Sequence, residues 1–180
     1  MPKIIDNFLD DETHEKYKFI IEKELPFYPC VGKVSEREID KFQFVHNFIE
    51  DNKSLSNWDY MPLEILRSEK LSCYQNIHPL RAKLNCGAIT KEHEASEYHI
   101  DLNTETSHIK EYMTAIYYLN GNNGYTEFED GTKIETVSNR IVIFDGLKKH
   151  RGVSQTDTTF RYVINLNFIE QKGETNARHQ

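Results

Sequence analysis

Short apolar runs separated by turn residues fill the second half of the sequence, and this rhythm limits the fold more than any other feature. Six such runs occupy residues 82–89, 112–119, 125–128, 132–136, 140–144 and 160–168. Runs of this length, without helical patterns between them, are typical of a β-sandwich or barrel rather than of alternating α/β units. We therefore expect a mainly β domain from residue 81 onward.

Two turn signals lie between these runs. The Asp130-Gly131 pair predicts a two-residue hairpin turn in which both central residues have positive φ. The GNNG stretch at residues 121–124 predicts another tight turn.

The first half has a mixed pattern. Residues 10–24 match a helix, because an aspartate pair at the start can cap it and apolar residues follow at helical spacing. A second helix is predicted over residues 56–70, with Pro62 inside its first turns. Residues 42–46 alternate in a way that favours a strand only weakly. We interpret residues 1–80 as a helical and mixed support for the β domain.

The length of 180 residues suits one domain with its own core. No apolar run approaches the roughly 20 residues of a membrane-spanning helix, and the acidic start of the chain does not match a secretory signal. We expect one cytoplasmic domain (residues 1–180) without a membrane partner, in which the core (residues 81–168) is followed by a polar tail (residues 169–180).

Charge and cysteine content narrow the function. The chain has 22 basic and 29 acidic residues and a formal net charge of −7, whereas a nucleic-acid partner normally requires a basic face. A nucleic-acid partner is therefore disfavoured. Cys30, Cys73 and Cys86 are widely spaced and odd in number, which favours free thiols over disulfides or a zinc site.

The YHID stretch contains the strongest candidate for a metal site. In an extended strand, His99 and Asp101 leave from the same face because side chains alternate. His150 follows the apolar run RIVIF at a predicted loop and can supply a third ligand. Two histidines and one carboxylate on one side of an iron(II) ion leave three positions open, as in non-haem iron oxygenases.

The last run, FRYVINLNF, adds a second chemical feature. Alternation places Arg161, Val163, Asn165 and Asn167 on one face and apolar residues on the other. A face with one arginine and two asparagines is either exposed to solvent or lines a polar cavity. In a cavity, Arg161 requires an anion, and a carboxylate is the standard partner of a guanidinium group.

These stretches together resemble a known family. The matching segments, in chain order over residues 81–168, are RAKLN, YHID, MTAIYYLN, GYTEF, NRIVIFDG, HRGV and FRYVINLNF. They are similar to the iron(II)/2-oxoglutarate-dependent oxygenases, in particular to the small phage and bacterial members of the prolyl-hydroxylase-like branch. The resemblance implies a double-stranded β-helix (a jelly roll, cupin-like) with flanking N-terminal helices, located in the host cytoplasm if the chain is viral.

The resemblance also implies roles for single residues. The expected iron(II) ligands are His99, Asp101 and His150. Arg161 is expected to bind the distal carboxylate of 2-oxoglutarate, and Tyr118 matches a position that reaches this carboxylate in some members, with a plain core tyrosine as the alternative. Asn165 and Asn167 share the face of Arg161 and are further candidates for cofactor binding.

One expected residue is missing, and one loop is a candidate for recognition. Many members carry a tyrosine on the first core strand, whereas LNCGAIT has none, so that Asn85 and Tyr98 are the candidates to replace it. The polar loop at residues 101–111 follows the expected ligands and is predicted to contact the substrate.

The implied activity is a hydroxylation. The family uses iron(II), 2-oxoglutarate and O2, and it releases succinate and CO2. An amino-acid or peptidyl side chain is the expected target, with proline as the leading candidate. The alternatives are a small metabolite or a nucleic acid as substrate, and a non-catalytic jelly-roll metal-binding module. Arg161 argues against the module, which has no need of an arginine after its last histidine.

Overall fold

The computed structural model describes residues 1–31, 42–102 and 109–170. Its helices are α1 (Asp11–Lys23), α2 (Tyr60–Leu66) and a 3₁₀ helix (Glu69–Leu71). Its strands are β1 (Lys3–Ile5), β2 (Tyr28–Val31), β3 (Phe42–Glu50), β4 (Lys53–Ser54), β5 (Ile77–Ala88), β6 (Met113–Tyr118), β7 (Tyr125–Phe128), β8 (Lys133–Glu135), β9 (Arg140–Asp145), β10 (His150–Val153) and β11 (Phe160–Glu170).

The strands form two antiparallel sheets. The main sheet has the order β1-β9-β6-β11-β5-β3-β2, with β4 paired to β3, and the smaller sheet has the order β10-β7-β8. Apolar side chains of both sheets share one buried cluster, so the sheets pack face to face. This arrangement confirms the expected mainly β, jelly-roll architecture.

Helix α1 confirms the prediction for residues 10–24. Asp10 is its N-cap, and the carboxylate accepts a hydrogen bond from the backbone N–H of Thr13 at 2.9 Å. Tyr17, Ile20 and Ile21 are buried on one face, in the same cluster as residues of the main sheet. The helix therefore covers the side of the main sheet that faces away from the smaller sheet.

The second helix is shorter than predicted. Helix α2 begins at Tyr60, so Pro62 lies in its first turn, where an N–H group has no partner within the helix. A helix from residue 56 would place the proline ring against the carbonyl of Trp58, which is why the helix starts later. Ser68, with ψ of 136°, then separates α2 from the 3₁₀ helix.

Strand β3 is longer than the weak signal at residues 42–46 predicted. It pairs with β5 on one side and β2 on the other, and its register with β5 shifts between Asn47 and Ile49. This irregularity leaves the consecutive residues Phe48 and Ile49 both buried, which breaks the two-residue alternation. His46 is also buried and contacts the carbonyl oxygen of Pro26 and the Ser56 hydroxyl, so its role is structural.

All six runs predicted in the second half contain strands, and β5 and β11 extend furthest beyond their runs. β5 and β11 pair from Phe160↔Ala88 to Glu170↔Ile77, beyond both ends of the predicted core at residues 81–168. The first two residues of the predicted polar tail thus belong to β11, while residues 171–180 lie outside the described part of the chain. Residues 1–80, predicted as support, also contribute β1 to β4 to the main sheet.

The hairpin at Asp130-Gly131 differs from the predicted turn. Of the two residues only Gly131 has positive φ (84°), and its N–H donates to the carbonyl of Phe128 at 2.9 Å. Residues 129–131 therefore form a three-residue loop that ends in a glycine bulge. Because the loop has three residues rather than two, it needs only one residue with positive φ, which is Gly131. Asp130 has negative φ, and its carboxylate accepts a hydrogen bond from the Thr132 N–H.

The space between the two sheets is apolar at one end and polar at the other. The apolar cluster comprises Ile116, Tyr118, Phe128, Ile134, Val142, Phe144 and Val163. The remaining space holds the polar side chains described below. In the described ranges, no helix is long and apolar enough to cross a membrane.

Candidate metal and cofactor site

Two backbone hydrogen bonds bring His99 and His150 together. The N–H of each donates to the carbonyl of the other at 3.0 Å, and the ring centroids lie 4.9 Å apart. The sequence predicted a loop at His150, but the structure places this residue at the start of β10. Its position is fixed because β10 pairs with β7 on one side and with the segment around His99 on the other.

Each imidazole presents its Nε2 atom to the shared space. Nδ1 of His99 lies 3.0 Å from the carbonyl oxygen of Glu97, and Nδ1 of His150 lies 3.1 Å from that of Lys148. A carbonyl oxygen only accepts, so Nδ1 carries the proton and Nε2 keeps its lone pair. Burial lowers the pKa of His150, which favours the neutral ring that a metal ligand requires.

The Asp101 carboxylate completes the group. One ligand atom from each of His99, Asp101 and His150 lies within 4.8 Å of the other two, and Asp101 Oδ2 is 3.7 Å from His150 Nε2. The carboxylate is almost fully buried, with 2% of the side chain exposed. The predicted residues thus meet around one point, and their atoms are close enough to bind a single ion.

Three hydrogen bonds from neighbouring strands hold this carboxylate. Nδ2 of Asn165 donates to Oδ1 at 2.8 Å, and Nδ2 of Asn167 donates to Oδ2 at 3.0 Å. The Thr114 hydroxyl also donates to Oδ2, at 3.1 Å. The two asparagines, predicted as cofactor-binding residues, therefore contact Asp101 directly.

Arg81 balances the charge of the carboxylate. Its Nη1 donates to the backbone oxygen of Asp101 at 2.9 Å, and its Nη2 lies 3.7 Å from Oδ1. Burial alone would raise the pKa of Asp101, but its interactions with His150, Arg81 and the Asn167 amide outweigh this and hold the pKa below the ordinary value. Asp101 is therefore ionised, as a metal ligand must be.

A cleft of about 330 Å³ opens beside these residues. Arg161, Val163 and Asn165 of β11 form part of one wall. This placement confirms that the polar face of the last strand lines a cavity, and it excludes the alternative of a solvent-exposed face. On the opposite side the cleft is bounded by residues 152–155.

Arg161 lies in this cleft with part of its guanidinium group unpaired. Nε donates to the Thr136 hydroxyl at 3.1 Å, whereas Nη2 is buried and has no hydrogen-bond partner among the described residues. Burial lowers the pKa of this arginine, which reflects the cost of a cation without a counter-ion. An anion in the cleft would supply the missing acceptor.

Tyr118 lies beside this guanidinium group. The centre of the Arg161 guanidinium is 5.5 Å from the tyrosine ring centroid, and the tyrosine hydroxyl donates to the Thr126 hydroxyl at 2.7 Å. Burial raises the pKa of Tyr118, so the hydroxyl stays protonated. Thr126 itself lines the cleft, which leaves this pair next to the place where an anion would meet Arg161.

Comparisons of sequence and of structure give different results. The sequence matches no family model and no curated protein. The structure is similar to a 2OG-Fe(II) oxygenase family protein from Burkholderia pseudomallei, with a TM-score of 0.70 and 10% identity over 96% of this chain and 86% of that one. It is also similar to the viral collagen prolyl hydroxylase of Paramecium Bursaria Chlorella virus-1, solved as a 2OG complex (TM-score 0.57, 18% identity, 95% and 96% of the two chains).

A prolyl hydroxylase from Trichoplax adhaerens, solved with a fragment of the hypoxia inducible factor oxygen degradation domain, gives a TM-score of 0.58 at 16% identity, over 94% of this chain and 83% of that one. The chain has the fold of the 2-oxoglutarate–iron(II) oxygenases.

Within this oxygenase fold, β5 is the first core strand, and it contains no tyrosine. Asn85 lines the cleft, and its Oδ1 is buried without a hydrogen-bond partner among the described residues. Tyr98 does not fill the gap, because its ring lies 4.2 Å from the Arg151 guanidinium and its hydroxyl donates to Glu127. Of the two candidates, only Asn85 thus lies in the cleft.

Two features of the site were missed by sequence reasoning. Arg81 and Thr114 reach Asp101 because both lie opposite Asn167 in the main sheet, in the registers Asn167↔Arg81 and Asn167↔Thr114. The available signal was the alternation of polar residues in RAKLN. Of the predicted recognition loop, residues 103–108 lie outside the described residues.

Proposed function

We propose that this chain is an iron(II)- and 2-oxoglutarate-dependent oxygenase that hydroxylates an amino-acid or peptidyl side chain. One observation carries the proposal: a His-Asp-His group and a buried, partly unpaired arginine line the same cleft. The first group suits a metal ion with open positions, and the second suits a carboxylate. The chemistry requires both iron(II) and 2-oxoglutarate, and the cleft offers one group suited to each.

The proposed metal ligands are Nε2 of His99, a carboxylate oxygen of Asp101 and Nε2 of His150. Their donor set of two imidazoles and one carboxylate suits iron(II). The carbonyl groups of Glu97 and Lys148 fix the orientation of the rings, as the outer partners of metal-bound histidines do. When bound, iron(II) with 2-oxoglutarate supplies the oxidising chemistry, and the protein positions and shields the reactants.

Arg161 is the proposed partner of the distal carboxylate of 2-oxoglutarate. Its Nη2 offers a donor that no described residue uses, and Tyr118 is close enough to contribute its hydroxyl if it turns away from Thr126. Asn165 and Asn167 act on the metal side, because their amides hold the Asp101 carboxylate. In this assignment the arginine fixes one end of the co-substrate, and the metal ligands line the same cleft.

Proline is the proposed target residue. The proposal is supported by the similarity to proteins described as prolyl hydroxylases, one of them solved with a peptide fragment, and by the YYLN and HRGV stretches of this sequence. A peptide or a small molecule is accordingly the proposed partner, and the cytoplasm is the proposed location.

Turnover tests this function. Purified protein with iron(II), O2 and 2-oxoglutarate is incubated with proline, or with proline peptides, while succinate is measured and the substrate is examined for a gain of one oxygen by mass spectrometry. The proposal predicts iron-dependent succinate formation that Asp101→Ala abolishes. Succinate formation that is equal in the wild type and Asp101→Ala would refute it, as would none in the wild type with iron bound.

A further inference from the structure

Lys83 lies on the wall of the cleft. Its positive charge has no role in the proposed oxygenase chemistry. It lies on β5 between Arg81 and Asn85, and alternation directs these three residues to the cleft. The other face of the strand packs in the apolar core through Ala82 and Leu84. Lys83 is therefore held at the cleft by the pleat of a central strand.

The ammonium group of Lys83 has no direct partner among the described residues. Among residues 1–31, 42–102 and 109–170, no hydrogen bond or ion pair reaches it, although Arg81 one pleat away is engaged with Asp101. Burial and the positive charge of Arg81 lower the pKa of Lys83, and the opposing effects of Cys30, Asp101 and Glu50 are each smaller. A half-buried cation in this position favours a bound anion.

The charged side chains around the cleft also favour a bound anion. Asp101 is the one acidic side chain among the described residues that line it, against Arg81, Lys83 and Arg161. The two charges of iron(II) and those of the 2-oxoglutarate dianion cancel, so the wall keeps an excess of positive charge after both have bound. This excess contrasts with the net charge of −7 of the whole chain, so it is local to the cleft.

Lys83 and Arg161 lie at different ends of the cleft wall. Lys83 lies opposite Asn165, which contacts Asp101, whereas Arg161 lies opposite Gly87. Four residues of strand separate Lys83 from Gly87, a distance of roughly 13 Å. Lys83 is thus on the metal side of the cleft, at the level where β5 pairs with Asn47 of β3. The position of Lys83 is therefore separate from the one assigned to the distal carboxylate of 2-oxoglutarate.

We propose that Lys83 binds a carboxylate of the substrate, and that the substrate is a small free carboxylic acid, such as a free amino acid, rather than a residue inside a polypeptide. A residue within a polypeptide has no carboxylate of its own main chain to offer. The cleft volume of about 330 Å³ must also hold 2-oxoglutarate, which suits a small substrate. The inference rests on the proposed oxygenase function and names its substrate class.

The test compares acids with amides. Protein loaded anaerobically with iron(II) and 2-oxoglutarate is titrated calorimetrically with the free L-amino acids and with their carboxamides, proline and prolinamide included. At least one acid should bind tenfold or more tightly than its amide. Lys83→Met should remove this preference and Lys83→Arg should retain it, while Lys18→Met, the same change on the surface of α1, should have no effect.

Three results would overturn the inference: acid and amide bind equally, no acid in the panel binds, or Lys83→Met leaves the preference intact. A loss of 2-oxoglutarate affinity in Lys83→Met as large as that in Arg161→Met would also overturn it, because Lys83 would then serve the co-substrate. The visible absorption band of the iron–2-oxoglutarate chelate separates the two proposals. If wild type and Lys83→Met both show the band, a failure concerns the substrate class alone; if neither does, the oxygenase function itself fails.

Discussion

Replacing Arg161 by methionine should have opposite effects on stability and on co-substrate binding. The guanidinium group is buried, its Nη2 has no partner among the described residues, and its one described hydrogen bond is that from Nε to Thr136. Methionine keeps an apolar stem of similar length that can pack against the Tyr118 ring. The substitution therefore removes an unpaired charge without opening a large cavity.

The unpaired Nη2 sets the expected change in stability, and the ion pair with 2-oxoglutarate sets the expected change in affinity. An unsatisfied buried donor costs about 1–3 kcal/mol, so Arg161→Met should stabilise the protein without 2-oxoglutarate by a similar amount, a rise in Tm of roughly 2–10 °C for a chain of this size. Removal of one partner of a buried ion pair costs about 3–5 kcal/mol. The affinity for 2-oxoglutarate should therefore fall by a factor on the order of 10²–10³.

Two assays measure these effects on the same samples. Thermal unfolding without co-substrate gives the change in Tm, and calorimetric titration with 2-oxoglutarate in the presence of manganese(II), which does not support turnover, gives the affinity. Arg140→Met is the matched control, because that arginine pairs with Asp6 at the surface. Unchanged 2-oxoglutarate affinity in Arg161→Met would mean that the wrong anchor has been assigned. A fall in Tm would mean that Arg161 is satisfied without an anion.

Further predictions concern the support of the metal ligands and the fold. Asn167→Ala should weaken iron(II) affinity by about 10–100-fold, because Asp101 loses a hydrogen bond; a competition titration with a chelator that gave wild-type affinity would contradict this. Burial lowers the pKa of His14 from 6.5, so the unfolded chain takes up a proton first and stability should decline as pH falls below about 6.5. His14→Gln should flatten that decline in denaturant titrations at pH 7.5 and 5.5, and equal slopes would count against the assignment. A Cβ at Gly124 would lie 2.9 Å from the Val153 carbonyl oxygen, so Gly124→Ala should destabilise the protein by about 1–3 kcal/mol, and an unchanged Tm would show that the backbone yields.

Much of the fold was predictable because the strands of the second half alternate regularly. In β11 the apolar set and the polar set separate cleanly, and the structure buries each where the pattern placed it. The pattern failed where one extra residue enters the repeat. The irregularity after Asn47 hid most of β3, and the added residue before Gly131 changed the hairpin type. Pro62 shifted the start of α2 because its effect depends on which turn it occupies.

The candidate site was predictable in its chemistry and less so in its connections. His99 and Asp101 are two residues apart, so local geometry alone puts them on one face. Two further features depend on the register of β5 against β11: Arg81 compensates Asp101, and Lys83 has no partner among the described residues. Register between distant strands is a property of tertiary pairing, which no single segment encodes.

The central claim is that one cleft binds iron(II) and 2-oxoglutarate together, and an anaerobic titration tests it most directly. Apoprotein is mixed with iron(II), then with 2-oxoglutarate, while the weak visible charge-transfer band of the chelate is recorded. The band should appear only when both are present, with one equivalent of each per chain, and Asp101→Ala should abolish it. Folded wild-type protein that shows no band with both ligands present would contradict the assignment of this site.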